Sequence, residues 1–507
     1  MSTRSMGAAA GRGPDREYPT RRTVVAGAAA LSVSVAAART ARALPAPSAA
    51  PALTDLERAL LSRATFGWTA EDAQQLATLG HETWLRTQLV PSSIDDSALD
   101  ARLAAYDWIP MTGPEMYDHP TLSPWEIAQE GRSVRLLRAT YSKRQLLERI
   151  VEFWTDHFNI FGQTGDTDVL KQVDDREVVR RHALGSFRDL LHASAKSPAM
   201  LHYLDNDTNE VGAPQENYAR EVMELHTLGV DGPYTESDVR ELARCFTGWT
   251  YYPVWQLNVG GTFRFRADRH DDGAKTVLGI SIPAGGGMSD AETVLDALAS
   301  HPSTARFVSG KLARWLLGYD PPQAVLDHAE RVWRGTGGQI AEVVRALLSP
   351  RVLKAANPWG EPKLKRPFHW VVSMYRVTGV DLDDPSATIW ETWRLGQTPF
   401  QWAPPNGYPD VEGAWASNLL PRWSNAAGYA AGWSWSTDFE PDELRAMLAG
   451  APKDQWARAI HAALGGGFSG TDLAVIQAHA DGFSSESNQA VSECFELAFS
   501  SPSFLRY

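Results

Sequence analysis

Apolar residues recur at helical spacing through most of this chain, and they alternate in only one stretch. Thr54-Asp55-Leu56-Glu57 reads as a helix N-cap, and ERALLSRATFG keeps helical spacing as far as Gly67. A second helix opens at Thr69-Ala70-Glu71-Asp72, and a third begins near His81. Residues 106–125, rich in Pro, Trp and Tyr, read as a long loop. A strong helix is predicted from about Ser142 to Phe158. Steps of about 100° per residue put Leu146, Ile150, Phe153, Trp154 and His157 on one face. They put Glu148, Glu152 and Asp156 on the other. His157 therefore reads either as a core histidine with one satisfied hydrogen bond or as a ligand or base lining a buried cleft.

A polar loop spans 161–168, and helices are predicted at about 168–182 and 185–195. Asp205, Asp207 and Asn209 have the spacing that starts a calcium loop. The glycine and the bidentate glutamate of an EF-hand are missing, so the segment reads as an Asx-rich turn. Glu216 to Thr250 then reads as two helices joined by Gly229, Gly232 and Pro233. On the first, Asn217, Glu221 and Glu224 share a face, and His226 points the opposite way. Thr235 and Asp238 form a capping box for the second, which carries Arg240 and Arg244 on its polar side.

The alternating stretch lies at about 250–285. It predicts a small β-hairpin insertion in which FRFRA and KTVLGISI flank an Asp-Asp-Gly turn holding His270 and Asp271. Helical patterning resumes at Ser289, runs from Pro302 through Lys311 to Trp315, and recurs near 320–333 and 338–349. Lys363, Lys365 and Arg366 read as a solvated basic face. Residues 395–425, rich in Pro, Gly, Asn and Trp, read as a long ordered loop packed over the domain. Helices at 441–450, 454–464, 471–480 and 487–499 close the chain. The fold expected is mainly α: one large multi-helix domain over 54–507 with a small β insertion and a long Trp/Pro-rich loop.

The N-terminus reads as an address. Arg21 and Arg22, an Ala/Val-rich run to about Ala38, and Ala41-Arg42-Ala43 have the form of a Tat signal peptide over 1–43, with cleavage after Ala43. Residues 44–53 read as an exit linker. The run is too short and too rich in alanine to anchor in a membrane, so no integral span is expected, and the mature protein is expected outside the cytoplasm or in the envelope.

Composition narrows the chemistry. The 507 residues are 43% hydrophobic and 21% charged, ordinary for a chain that buries a core. A net charge of −13 argues against nonspecific nucleic-acid binding. Two cysteines, Cys245 and Cys494, allow one disulfide at most and no multi-cysteine metal site. Tryptophan is frequent, with 19 residues that suit either core filling or stacking on sugars.

Six stretches together look familiar: LLSRATFGWT, IVEFWTDHFNI, LDNDTNEVGAPQENYAREVMELHTLGVDGPYTESDVRELARCFTGW, HDDGAKTVLG, HPSTARFVSGKL and LGQTPFQWAPPNGYP. In these the chain resembles the bacterial exported family called domain of unknown function 1800, over roughly residues 54–507. The resemblance implies an exported, largely helical protein and brings no established reaction. Where Thr155 or Asp156 stands, the family pattern usually has a second polar residue, often histidine. NGYPDVEGAW is a looser version of the family's turn.

Three functional readings follow. The first is an enzyme acting on an extracytoplasmic polymer or a small molecule, a glycan by preference, through acid/base hydrolysis or elimination. Its catalytic candidates are Glu221, Glu224, Arg244, His270 and Asp271, and its substrate-binding candidates are Asn217, Arg240, Trp402 and Trp415. The second is a metal-dependent redox or hydrolytic enzyme that would bind a divalent metal through His157 and His226. Glu224 and His226, two apart on a helix, point too far apart to share that metal. The third is a non-enzymatic binding or assembly protein.

Overall fold

Capping residues set where many of the helices begin. Thr54 and Thr69 accept the backbone N–H of Glu57 and Asp72, whose carboxylates bond back to the cap residues' own N–H groups. Helices Asp55–Ala64 and Ala70–Leu79 follow, as the capping pattern predicts. The computed structural model describes residues 51–162, 165–432 and 441–507, so the predicted signal peptide with Arg21, Arg22 and Ala43 lies outside the described residues. The protein is mainly α, with two two-stranded antiparallel sheets. No helix among the described residues is long and apolar enough to cross a membrane.

The strong predicted helix forms as Gln145–His157, but its polar face is not solvated. Glu148 and Glu152 are buried within a lattice of cations. Arg135 and Arg180 hold Glu148 at 2.5 and 2.8 Å, and Arg149 lies 2.9 Å from Glu152. Arg366 spans Glu152 and Asp156, with 2.6 Å to the latter. The cluster read as a solvated basic face is therefore interior. Lys363, Lys365 and Arg366 are all buried, with Lys363 on Asp410 at 2.6 Å and Lys365 over the Phe504 ring. A helical wheel assigns polar faces to solvent by default, and here cations from other elements supply the compensation instead.

The residues read as a loop over 106–125 contain a helical turn, Gly113–Tyr117, and the start of the 18-residue helix Pro124–Tyr141. That helix is buried on nearly every side, including Arg132 and Arg135, so it shows no clean apolar stripe. Helices Pro198–Tyr203, Pro367–Thr378 and Pro385–Arg394 were not predicted either, and each places a proline in its first turn, where the missing N–H costs nothing. The predicted long loop is ordered over 396–418 and gives way to helix Leu419–Ala430.

The β insertion pairs differently from its prediction. Strand β1 (Trp249–Tyr251) pairs with β2 (Phe263–Phe265), and β3 (Lys275–Val277) pairs with β4 (Ile280–Ile282). FRF thus folds back on WTY, and KTV turns onto ISI through Leu278 and Gly279, both at positive φ. The Asp-Asp-Gly segment between them is drawn sideways by side chains. Asp271 pairs with Arg244 of helix Glu236–Phe246 at 2.7 Å, and His270 lies between Thr247 and Asp290.

The described residues belong to one compact unit that holds two hydrophobic cores. Trp84, Trp154 and Trp249 fill the first, and Trp370 and Trp456 fill the second. Cys245 and Cys494 are both free and buried, one in each core.

Arg366→Met removes the one cation that, among the described residues, Glu152 and Asp156 share. It should cost about 3–5 kcal/mol, because both carboxylates stay buried with their compensation reduced. Urea unfolding of the two proteins measures this, and a loss below about 1 kcal/mol would mean that solvent reaches the lattice.

Candidate functional site

The helix that carries the predicted acids is distorted. Asn217–Glu221 is α-helical, and Val222–Thr227 widens into a π-helical turn. Leu228 N–H reaches back five residues to the Met223 carbonyl at 2.8 Å, and the Thr227 hydroxyl donates to Val222 O at 2.6 Å. Such turns recur at functional sites. Glu221 and Glu224 are partly exposed on one side, while His226 is buried on the other.

The two acids have different surroundings. Arg220 bonds Glu236 at 2.7 Å and Glu216 and Glu224 at 3.4 Å each. Glu224 is thus held by its own helix neighbour and not by Arg240 or Arg244. Glu221 makes no hydrogen bond or ion pair among the described residues. Burial, then the Glu224 charge, push its carboxyl above the ordinary range, and Arg220 pulls the other way.

The Trp/Pro-rich loop closes over this side. Asn159 donates to the carbonyls of Trp402 and Pro404 at 2.8 Å each, and the Tyr203 hydroxyl donates to Ala403 O at 2.5 Å. Burial, opposed by an Asn159 hydrogen bond, pushes the Tyr203 phenol up to about 12, with a smaller push from the Glu221 charge. Gly407 allows the close approach. It sits at φ +72°, and a Cβ there would lie 2.1 Å from the Asp156 carbonyl oxygen. The Trp402 ring leans on Tyr408 at 4.9 Å and stays partly exposed.

Sequence reasoning missed the next pair. His202 Nδ1 lies 3.0 Å from Asp207 Oδ2 and 3.2 Å from the Tyr251 hydroxyl. A carboxylate only accepts, so Nδ1 carries the proton, and the Tyr251 hydroxyl is left to donate to Asp166 at 3.2 Å. His202 Nε2 remains outside this network. The hydrogen bond to Asp207 holds the imidazole above its ordinary value, against the effect of burial. The segment after helix Pro198–Tyr203 turns through Asp205 at φ 61° and a 3-10 turn, Asn206–Thr208. That reversal brings Asp207 back to His202, and the Asx-rich pattern was its sequence signal. Nothing in the sequence marks Tyr251, which arrives on β1.

Other predicted residues lie elsewhere. Asn217 ties its helix to Leu204 O at 3.4 Å and to Asp205 at 3.5 Å. Arg240 is exposed, within reach of the Glu236 charge. Trp415 is buried, with its indole N–H on Pro409 O at 2.9 Å, and has no open face for a substrate. Arg244, His270 and Asp271 come together as ties of the β insertion, and none of them pairs with Glu221 or Glu224 among the described residues. Arg244 bonds Glu241 and Asp271, and the Asp290 carboxylate takes both His270 and Lys275.

His157 and His226 do meet, with ring centroids 6.1 Å apart. His157 Nε2 faces the His226 carbonyl at 3.1 Å, and its Nδ1 faces Lys311 Nζ at 3.1 Å. Both of its ring nitrogens are therefore engaged. Among the described residues no group of three or more His, Cys, Asp or Glu is placed to hold a metal. A separate pocket of about 450 Å³ lies between helices Phe187–Ala195 and Ser289–Ser300. Its cations are matched internally, Arg188 and His192 by Asp296 and Lys196 by Glu292, and it includes none of the predicted residues.

A family model described as "Protein of unknown function (DUF1800)" matches residues 59–506. No curated protein and no solved structure matches the chain.

The His202–Asp207 pair gives a pH-dependent contribution of known sign. A raised imidazole stabilises the fold fully below the unfolded value of about 6.5 and loses that contribution as pH rises through the folded value. NMR titration of His202 should give a midpoint above about 6.5 in the wild type and a lower one in Asp207→Asn. Over the same window the wild type should lose unfolding stability relative to the variant, and identical pH profiles would refute the pairing.

Proposed function

The chain belongs to the DUF1800 family, and we propose that it is an exported enzyme acting on an extracytoplasmic polymer, a glycan, by acid/base hydrolysis or elimination. One observation carries this reading. A half-buried carboxyl, unpartnered among the described residues, acts with its charge on Tyr203; the adjacent His202 is held by Asp207; and Tyr203 bonds the loop that presents a partly exposed tryptophan.

The directions of the two shifts assign the roles. Glu221 is more basic than an ordinary carboxylate, and His202 is more readily protonated than an ordinary histidine. Between their two values Glu221 is ionised and His202 carries a proton, so both active forms are the major ones. Glu221 then takes a proton from water or from a carbon acid. His202 Nε2 gives one to the departing oxygen, while Asp207 fixes the ring and stabilises its charge. Trp402 provides a face on which a sugar ring can stack. Glu224, held by Arg220, tunes Glu221 without reacting. The acid pair read from the sequence is thereby replaced by an acid and a histidine.

Export rests on the N-terminal pattern, with Arg21 and Arg22 before an Ala/Val-rich run and an Ala-x-Ala site ending at Ala43. Replacing both arginines by lysine should leave the protein in the cytoplasm, as fractionation would detect.

The catalytic test uses a panel of neutral and acidic polysaccharides, scored for new reducing ends and for unsaturated products. With a turned-over polymer in hand, Glu221→Gln and His202→Gln should each lower kcat/KM by about 10²–10⁴-fold with the fold intact by circular dichroism. The rate should rise with pH through the Glu221 value and fall through the His202 value. Full activity in both folded variants would end the reading, as would no turnover of any polymer in the panel.

A further inference from the structure

The opposite side of the helix at 217–227 holds an amine that the proposed reaction does not use. Lys311 projects from helix Pro302–Leu317 to His157, with Nζ 3.1 Å from Nδ1. The carbonyl of His226 can only accept, so His157 Nε2 donates to it, and Nδ1 of the neutral ring is left as an acceptor. Lys311 therefore donates to His157. Interior lysines elsewhere are neutralised by carboxylates: Lys171 by Asp174, Lys275 by Asp290 and Lys363 by Asp410. Lys311 has no ion pair among the described residues. Lys365 also lacks one, but it is enclosed against Ser373 and the Phe504 ring, whereas Lys311 is partly exposed.

A second observation points to a ligand at the same place. The buried His226 ring makes no hydrogen bond from either nitrogen, and the buried Tyr218 hydroxyl beside it has no partner. Lys311 Nζ meets the His157 ring at 3.1 Å, and that ring lies 6.1 Å from the His226 ring, centroid to centroid, so the three groups are neighbours.

We propose that Lys311 is a nucleophilic amine that condenses with a small aldehyde or ketone, with His157 orienting the amine and His226 facing the carbonyl oxygen. The Nζ lone pair adds to the carbonyl carbon, and a proton moves from nitrogen to oxygen, giving a carbinolamine. Loss of water then leaves a C=N bond on Lys311. Whichever nitrogen of neutral His226 is protonated supplies one N–H donor to the oxygen. Burial favours the uncharged amine and brings Lys311 down to about 8, against the pull of the Asp156 and Asp410 carboxylates. The inference is independent of the acid/base reading, because it uses none of that site's residues.

The test treats the full-length folded protein with acetaldehyde and sodium cyanoborohydride at neutral pH, which reduces any imine to a stable secondary amine. Peptide mass mapping then reads the extent of alkylation at each lysine. Lys311 should be alkylated at least about tenfold faster than the exposed Lys143 and Lys354, and the preference should vanish in urea. His157→Phe and His226→Phe should each weaken the preference without changing the reference lysines. Alkylation of Lys311 at or below the reference rate in the folded wild type would overturn the proposal.

Discussion

The charge lattice along helix Gln145–His157 is the constraint on which the rest depends. Desolvating an isolated carboxylate costs several kcal/mol, so Glu148, Glu152 and Asp156 are tolerable inside only with cations fixed around them. Those cations come from far along the chain: Arg135 and Arg180 on one side, and Arg366 on the other. Arg366 caps the helix Pro367–Thr378, whose apolar residues belong to the second core, while Gln145–His157 packs into the first. The ion pairs thus tie an element of one core to an element of the other.

The same lattice places the candidate site. Asp156 takes Arg366 with one oxygen and the backbone N–H of Tyr408 with the other, at 3.3 Å. Its own carbonyl lies so close to Gly407 that a side chain there is excluded. Three residues on, Asn159 holds Trp402 and Pro404 by their carbonyls. The Trp/Pro-rich loop is therefore pinned by the end of the charged helix, and the pinning lays Ala403 on Tyr203. A charge pattern chosen for burial thereby determines where an aromatic face is presented.

Local rules read from the sequence survived where the cause was local. The N-cap at Thr54, the helix start at Thr69 and the capping box at Thr235 depend on residues three apart, and each forms as a capping box. The opposition of Glu221 and His226 survived for the same reason. Rules that assume a solvent boundary failed. The polar face of 145–157 and the basic run at Lys363, Lys365 and Arg366 are surface patterns in isolation, and only their mutual pairing makes them interior. The β insertion formed where it was expected, but its pairing across the Asp-Asp-Gly turn did not, for a related reason: that turn is held by side-chain ties from Arg244, Thr247 and Asp290. Glu221 was legible as an acid on a mixed face. His202 was not, since its partners Asp207, Tyr251 and Asp166 come from a turn, a strand and a loop that no periodicity joins.

One short helix serves two unlike environments across a π-helical turn. An α-helix would keep strict 3.6-residue spacing from Asn217 onward. The inserted residue in Val222–Thr227 breaks that spacing after Glu221, yet the acids stay partly exposed and His226 is still buried against Phe158 and His157. The i→i−5 bond from Leu228 closes the wide turn, and the Thr227 hydroxyl bonds the Val222 carbonyl within it. Both sides are costly alone, one for an unpartnered carboxyl and the other for an unpartnered imidazole, yet they share a single backbone. A stretch that tolerates a distorted backbone and uncompensated groups on opposite faces departs from its local rules twice. Departures of this kind concentrate at functional or strained positions, and here one falls on each face of the same helix.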